Sequence, residues 1–239
     1  MNRHAQIRAL AKVNLALDIL RKDLASGYHE IRTVLTEYSA LADEITIEEG
    51  ANYGGFDVEF PNAPELEANN TVKTALTLLK RDFPDTPSIY ISVQKNIPIL
   101  SGLGGGSSDA AAVLKQLGIW WKIPHEELLK IAERVGMDCP FFLYGGTALG
   151  EHFGEKITPL PSLPSSITIE VITTNVAVST KDAYAHVDLS HCGKNRAKTD
   201  ALIAALHEGD ANAIIKNIHN DFGEMLCGSG GAQLRVHQR

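Results

Sequence analysis

The stretch Pro98-Ile-Leu-Ser-Gly-Leu-Gly-Gly-Gly-Ser-Ser-Asp-Ala-Ala-Ala112 says more about fold and function than any other part of the chain. Glycine fills four of the five positions from 102 to 106, and its backbone can adopt conformations that other residues avoid. Ser107 and Ser108 follow as candidate N-cap residues of a helix over residues 109–117. Such a junction favours phosphate binding, because unpaired N–H groups and the helix dipole both face the ligand. The stretch therefore predicts a phosphate-binding loop.

The spelling of this loop excludes two familiar nucleotide-binding loops. A Walker A loop ends in Gly-Lys-Ser or Gly-Lys-Thr, but here Gly106 is followed directly by Ser107. The dinucleotide fingerprint needs a glycine three positions after Gly104, where the chain has Ser107. A flexible linker is the plain alternative, but linkers are seldom followed at once by an alanine-rich amphipathic helix. We expect amides, hydroxyls and a metal ion, rather than a loop lysine, to hold the phosphates.

Composition sets broad limits on the class of protein. The 239 residues can form one large domain or two small ones. A net charge of −7 argues against broad nucleic-acid binding, although local cations could still bind a small anionic substrate. The three cysteines, Cys139, Cys192 and Cys227, are far apart and odd in number, which indicates free thiols in a reducing compartment. Polar residues interrupt the apolar stretch Ile7–Leu20, so we expect neither a signal peptide nor a membrane span, and a cytoplasmic protein.

The order of secondary-structure signals predicts an α+β fold with two lobes rather than a regular βαβ sheet. Strands are expected over Ala5–Leu20, Glu44–Glu49, Phe56–Phe60, Ser88–Gln94 and Ile167–Thr173. Helices are expected over Asn70–Arg81, residues 109–117, Pro124 to Gly136, a short segment capped by Ser179 or Thr180, Asp200–His207 and Ala211–Ile218. The proline-rich segment Pro159–Ser166 is the candidate boundary between the lobes.

Two polar side chains lie on an otherwise apolar strand near the N-terminus. Lys12 and Asn14 are two residues apart, so both project from the same face of that strand. A lone lysine in such a place usually extends to solvent, which is the plain alternative for Lys12. A polar pair on one face also suits the lining of a cleft.

Three further positions each have a structural and a functional interpretation. Tyr28 and His29 follow a polar turn, and they fit either an exposed turn or a ring and hydrogen-bonding edge for a base. Asp138 fits either a cap of the next turn or a carboxylate held near a cation as a general base. Tyr184 stands four residues after Thr180 on the same helix face, and core packing is its default role.

Taken together and in this order, these segments resemble the GHMP kinases. The matching stretches are Ala11–Asn14, Gly27–His29, Pro98–Ala112, Gly136–Pro140 with Gly145–Ala148, and Val178–Thr180. The triple glycine before Ser107 favours the branch of this family whose small-molecule substrate carries a cytidine diphosphate group.

The resemblance implies a fold and a reaction. The fold is the two-lobed α+β GHMP kinase fold, with a ribosomal-S5-like, ATP-binding N-terminal lobe over residues 1–158. A smaller α+β C-terminal lobe follows over residues 167–239, and the site is expected in the cleft between them. The reaction is transfer of the ATP γ-phosphate to a tertiary hydroxyl of a methylerythritol unit. Mg²⁺ is expected with ATP, but no carboxylate pair marks its ligands.

The resemblance also implies roles for individual residues. Asp138 takes the hydroxyl proton, and Lys12 pairs with it and stabilises developing charge. Tyr28 and Tyr184 sandwich the cytosine, while His29, Asn14 and Thr180 position the substrate. The residues that wrap the ATP phosphates are Pro98, Ile99, Leu100, Ser101, Gly102, Leu103, Gly104, Gly105, Gly106, Ser107 and Ser108. Asn70 and Lys95 match positions near the adenosine.

One departure from the family concerns the C-terminal end. Asn220–Phe222 matches the family, but the glycine-rich segment Cys227–Gly231 follows almost at once, and the chain stops after Leu234–Arg239. We therefore expect an incomplete C-terminal lobe that lacks its closing strand; a short loop that substitutes for the missing residues is the alternative. Two other functions stay open: a GHMP kinase acting on homoserine or mevalonate, which the aromatic residues Tyr28 and Tyr184 disfavour, and a non-catalytic nucleotide-binding protein.

Overall fold

The computed structural model describes residues 3–50, 55–172, 179–223 and 232–238. The chain forms two compact units, each assembled from separated segments. The first unit contains residues 1–11, 39–97 and 104–143, and the second contains residues 12–38, 98–103 and 144–239. The predicted α+β class is confirmed, while the lobes expected over residues 1–158 and 167–239 stay a prediction.

The described elements come in runs of strands and runs of helices along the chain. The strands are β1 (His4–Lys22), β2 (His29–Glu49), β3 (Phe56–Glu59), β4 (Ile89–Gln94), β5 (Thr147–His152), β6 (Lys156–Leu160), β7 (Ile167–Ile172), β8 (His219–Asn220) and β9 (Gln233–Gln238). The helices are α1 (Thr71–Asp82), α2 (Gly105–Trp121), α3 (His125–Val135), α4 (Cys139–Tyr144), α5 (Thr180–Ala185), α6 (Arg196–Glu208) and α7 (Ala211–Lys216), with a 3₁₀ turn over Pro64–Leu66. None of these helices is both long enough and apolar enough to cross a membrane.

In the first unit, helices α1, α2 and α3 pack on one another beside a sheet. Strand β4 pairs antiparallel with the second half of β2 and parallel with β3. Alternate residues of β4 face the core, with Ile89, Ile91 and Val93 fully buried. A Cβ atom on Gly118 would lie only 2.5 Å from Leu128 Cδ1, so glycine lets α2 and α3 approach closely.

In the second unit, β5 pairs antiparallel with the first half of β2 and with β6, and β8 pairs parallel with β1. A buried polar cluster joins β1, α6 and β8. The Asp18 carboxylate accepts a hydrogen bond from Thr199 Oγ1 at 2.6 Å and lies 3.1 Å from His219 Nε2. Since His219 Nδ1 lies 3.0 Å from the carbonyl oxygen of Asn217, both ring nitrogens face acceptors, which favours the imidazolium.

Strand β9 corrects the expectation that the closing strand is missing. Residues Gln233–Gln238 pair antiparallel with β7 along its whole length, from Ile172↔Gln233 to Ile167↔Gln238. Leu234 is buried and Val236 is half-buried, while their polar neighbours face outward. The sequence of this strand does not show a clear alternation of apolar and polar residues, because only Leu234 and Val236 mark its inner face. The glycine-rich segment 227–231 lies outside the described residues.

The start of α2 also differs from the expectation. Ser107 and Ser108 were expected to cap the helix, but the N-cap is Gly104, in the left-handed region at φ 73°. Both serines lie inside the first turn, and Ser108 Oγ donates to the Leu10 carbonyl oxygen at 2.6 Å. The helix thus begins earlier than the serines because a glycine backbone, rather than a side-chain oxygen, makes the turn. The expectation for α5 is confirmed, since Ser179 caps it and accepts from the Asp182 amide.

Candidate functional site

The N-terminus of α2 forms the part of the glycine loop that belongs to the first unit. Its first intrahelical bond runs from the Ser108 amide to the Gly104 carbonyl oxygen at 2.9 Å, so the preceding amides have no intrahelical acceptor. A Cβ atom on Gly105 would lie 3.0 Å from Ile97 Cγ2, and one on Gly106 would lie 3.0 Å from Thr71 Oγ1. These glycines therefore bring the helix start close to its neighbours, where it presents backbone amides rather than side chains.

Residues 98–103 form the part of the loop that belongs to the second unit. Leu100 and Gly102 have positive φ angles of 58° and 81°, and Ser101 Oγ donates to the Pro98 carbonyl oxygen at 2.7 Å. The Leu103 carbonyl oxygen accepts from the Lys12 amide at 3.0 Å, which places this turn against β1. Ile99 and Leu100 are exposed.

Lys12 and Asn14 contact each other on one face of β1, as their spacing predicted. Lys12 Nζ donates to Asn14 Oδ1 at 2.7 Å, and Asn14 Nδ2 donates to Thr33 Oγ1 at 2.7 Å. Thr33 Oγ1 in turn donates to the Ala16 carbonyl oxygen at 2.7 Å. Both Lys12 and Asn14 are buried, so the solvent-facing alternative for Lys12 is wrong. This chain of hydrogen bonds fixes the position of a cation within the second unit.

Two sets of contacts between aromatic rings lie near the start of β2, also within the second unit. His29 stacks on Tyr184, with ring centroids 5.1 Å apart and planes at 23°, and Tyr184 meets Phe222 edge to face. Tyr28 is about half exposed and packs on Phe153 at 5.5 Å. Burial lowers the pKa of His29, and the Lys22 ammonium adds to this, so a neutral imidazole is favoured near neutral pH. Thr180 opens α5, but its side chain lies outside the described part of the chain.

Asp138 lies immediately before α4 and is half-buried. Its carbonyl oxygen accepts a hydrogen bond from the Phe142 amide at 3.5 Å, so its backbone takes part in the start of the helix independently of its side chain. Burial, with the Asp138 carboxylate beside it, raises the pKa of the Cys139 thiol to about 12. Cys139 is thus an inert buried thiol.

Asn70 and Lys95 have their polar atoms engaged within the first unit. Asn70 caps α1: its Oδ1 accepts from the Lys73 amide at 2.8 Å, and its Nδ2 donates to Leu66 O at 2.9 Å. The start of α1 also lines a surface cavity of about 260 Å³, bordered by Ala68, Asn69, Asn70, Lys73, Thr74, Thr77 and Leu78.

Lys95 lies in a buried cluster of charges. Its ammonium forms ion pairs with Asp109, at 2.6 Å, and with Asp43. Sequence reasoning missed both carboxylates, because Asp43 is 52 residues from Lys95 and no local pattern connects them. Within the described ranges, no group of three or more His, Cys, Asp or Glu side chains could hold a metal ion.

Comparison with known proteins identifies the family. The GHMP kinases N terminal domain matches residues 70–146. A 4-diphosphocytidyl-2-C-methyl-D-erythritol kinase from Caldicellulosiruptor saccharolyticus is 40% identical over 216 residues, which cover 90% of this chain and 73% of that relative. The chain belongs to the 4-diphosphocytidyl-2-C-methyl-D-erythritol kinase family. A member from Thermotoga petrophila is 37% identical over 94% of this chain and 80% of its own length.

Solved structures agree with this family. A crystal structure of 4-(cytidine 5'-diphospho)-2C-methyl-D-erythritol kinase matches with a TM-score of 0.76 and 27% identity, covering 96% of this chain and 89% of that one. Homoserine kinase from Cytophaga hutchinsonii, at 17% identity and a TM-score of 0.70, shares the fold. As a member of this kinase family, the chain is an ATP-dependent small-molecule kinase.

Proposed function

We propose that the chain transfers the γ-phosphate of ATP to the 2-hydroxyl of 4-diphosphocytidyl-2-C-methyl-D-erythritol, in the non-mevalonate route to isoprenoid precursors. The observation that carries this choice of substrate is the stacked pair of His29 and Tyr184, whose ring centroids are 5.1 Å apart, and His29 directly follows the half-exposed Tyr28 in the sequence. Aromatic rings bind a base by stacking, and homoserine and mevalonate have no base.

The N-terminus of α2 supplies the phosphate site in this proposal. Its amides that lack an intrahelical acceptor and the positive end of the helix dipole favour the negative charge of ATP. The turn over residues 98–103 and the serines Ser107 and Ser108 complete the loop around the phosphates. Mg²⁺ would enter with ATP, and its charge would offset part of the negative charge on the phosphates. We assign it no protein ligand.

Asp138 and Lys12 carry the chemistry in this proposal. Phosphoryl transfer needs positioning and charge neutralisation more than covalent help from the protein. The Asp138 carboxylate accepts the proton of the attacking hydroxyl, and the Lys12 ammonium stabilises the charge that develops on the transferred group. Asn14 holds Lys12 in place through the 2.7 Å bond between them.

The aromatic groups of the second unit recognise the cytidine diphosphate end of the substrate. Tyr28 and Tyr184 offer ring faces, and neutral His29 offers a ring nitrogen for hydrogen bonding to the base. We place Asn14 and Thr180 near the substrate. We place the cavity at the start of α1, which Asn70 borders, near the adenosine. Lys95 acts from beneath α2 rather than by direct contact, because its ammonium already binds two carboxylates. The proposed setting is the cytoplasm, without nucleic-acid or membrane partners.

The test is ATP turnover with purified protein, measured with the diphosphocytidyl substrate, with homoserine, with mevalonate and with no acceptor. We expect turnover only with the diphosphocytidyl compound. Turnover with homoserine or mevalonate would replace the proposed substrate. Binding of ATP without turnover on any acceptor would favour a non-catalytic nucleotide-binding protein.

A further inference from the structure

The buried cluster of Asp43, Lys95 and Asp109 contains two carboxylates and one ammonium. The side chains are 0%, 7% and 2% exposed, so water screens their charges little. Two carboxylates that share one cation in such a place do not ionise equally well, because each disfavours the charge on the other.

The two carboxylates differ sharply in their hydrogen bonds. Asp43 Oδ1 accepts from the backbone amides of Asn96 and Ile97, at 2.5 and 2.8 Å, and its other oxygen pairs with Lys95. Asp109 pairs with Lys95 through Oδ2 alone, and its buried Oδ1 has no hydrogen-bond partner among the described residues. Hydrogen bonds to the charged form of a carboxylate stabilise it, so Asp109, which has fewer of them, is the member that takes up a proton.

This asymmetry also appears in the titration of Asp109. Burial raises the pKa of the Asp109 carboxyl to about 8, and the Asp43 carboxylate adds to the rise, while the Lys95 ammonium opposes it. The charged side chains of neighbouring elements form hydrogen bonds or ion pairs with groups outside this cluster. Lys73 of α1 donates to the Glu67 carbonyl oxygen, and Lys130 of α3 pairs with Glu127. Arg134 of α3 pairs with Asp82, and Arg8 of β1 donates to the Ser39 carbonyl oxygen at 3.1 Å.

The cluster lies directly beneath the first turn of α2. A Cβ atom on Gly105 would lie 3.2 Å from Lys95 Nζ, and Asp109 is on α2 itself, four residues later. The cluster therefore joins the phosphate-binding end of α2 to β2 and to the end of β4. Its net charge is −1 when Asp109 is ionised and zero when Asp109 is protonated, and the first of these opposes an anion at the helix start.

We propose that Asp109, with Asp43 and Lys95, is a proton-linked positioning residue for the phosphate-binding turn of α2. Binding of the ATP phosphates at that turn draws a proton from solvent onto the Asp109 carboxyl, which neutralises the cluster. This inference rests on the proposed binding of ATP phosphates at α2. By linkage, the affinity for ATP falls as the pH rises and Asp109 ionises.

The experiment is calorimetric titration of the full chain with ATP in a fixed excess of Mg²⁺. At pH 8, two buffers of different ionisation enthalpy give the number of protons taken up per ATP bound, and the Kd is measured from pH 7 to pH 9. The key variant is Asp109→Asn, which keeps the shape of the side chain but cannot ionise. Asp57→Asn, at an exposed carboxylate of β3, is the matched control.

We expect wild type and Asp57→Asn to take up part of a proton at pH 8, and their Kd for ATP to rise roughly fivefold from pH 7 to pH 9. Asp109→Asn should take up no protons beyond those that ATP itself contributes, and its Kd for ATP should not change with pH. Equal proton uptake and parallel profiles in all three proteins would overturn the proposal. If Asp109→Asn does not fold, wild type decides alone: uptake at pH 8 supports the linkage, and zero uptake overturns it. No ATP binding at any pH would instead overturn the proposed function, and this inference with it.

Discussion

Single residues with similar charges have very different surroundings in this chain. Asp138 is half-buried at the start of α4, whereas Asp109 is buried in α2 against Lys95. Lys12 donates to a neutral amide, while Lys95 bridges two carboxylates. The charge on Lys95 is largely neutralised within the protein.

Replacement of Asp138 tests the proposed general base. Asp138→Asn keeps the shape of the side chain but removes the acceptor of the proton, so we expect kcat to fall by about 10²–10⁴. The Kd for ATP should change by no more than a few-fold, because the variant leaves the phosphate site intact. Turnover close to that of wild type would show that Asp138 serves only the start of α4, and a thermal melt checks that this helix is retained.

Replacement of Tyr28 tests the recognition of cytidine. Tyr28→Ala removes a half-exposed ring, so we expect the affinity for cytidine diphosphate to weaken by about 1–3 kcal/mol, the range for stacking on a base. Tyr28→Phe keeps the ring and should bind nearly as well as wild type. Calorimetry with cytidine diphosphate gives both values. Unchanged binding in Tyr28→Ala would leave Tyr28 as an exposed aromatic residue of a turn that packs on Phe153.

At the scale of elements, β9 is held mainly by one apolar side chain. Leu234 is 3% exposed in a strand whose other side chains are half-buried or exposed. Leu234→Ala should lower the free energy of unfolding by about 2–5 kcal/mol, since it leaves a cavity beside β7. Gln238→Ala, at an exposed position of the same strand, should change it by less than about 0.5 kcal/mol. Equal stability of both variants in urea would mean that β9 adds little to the second unit.

Elements with strong local signals could be predicted from the sequence. Helix α1 has an asparagine cap and an apolar stripe, and β4 alternates strictly, so both follow from short-range rules. The first half of β2 was missed because its consecutive buried residues, including Val34 and Leu35, hide the period of two. Helix α4 was missed because it is only six residues long and carries Pro140 in its first turn.

The candidate site shows the same division between local and long-range information. The contact between Lys12 and Asn14 follows from their spacing on one strand. The ion pairs of Lys95 with Asp43 and Asp109 could not be predicted, because they depend on which strand and which helix the fold brings beside it. The cap of α2 was assigned to a serine because side-chain caps are common, whereas this turn is made by the backbone of Gly104.

At the scale of the whole molecule, stability should depend on pH through the buried pair of Asp18 and His219. Burial alone would lower the pKa of His219, but hydrogen bonds to Asp18 and to the Asn217 carbonyl oxygen raise it above 6.5. Burial opposes ionisation of Asp18, but hydrogen bonds from His219 and Thr199 lower its pKa below 3.8.

The sign of the effect follows from these directions. His219 contributes stability that is fully present below pH 6.5 and is lost as the pH rises through its folded-state pKa. Asp18 contributes stability that is present above pH 3.8 and is lost as the pH falls through its own folded-state pKa. The pair therefore stabilises the fold most between these limits.

The variant His219→Gln isolates this contribution. Unfolding in urea at pH 6 and at pH 9 should show wild type losing more stability between the two values than the variant does. The raised pKa of Asp109 also favours the fold at lower pH, but it acts equally in both proteins and cancels in the comparison. A pH dependence that is identical in both proteins would show that folding leaves the pKa of His219 unchanged.

The pairing of β1 with β8 has a consequence for synthesis of the chain. Ala16 pairs with His219, so one edge of β1 gains its neighbour only after the chain has been made through residue 219. At about 5–20 residues per second, that edge waits roughly 10–40 s on the ribosome. An unpaired strand edge is a template for wrong pairing with other chains. Nascent chains should therefore bind chaperones until residue 220 emerges, and arrest of translation before that point should yield aggregates rather than a folded second unit.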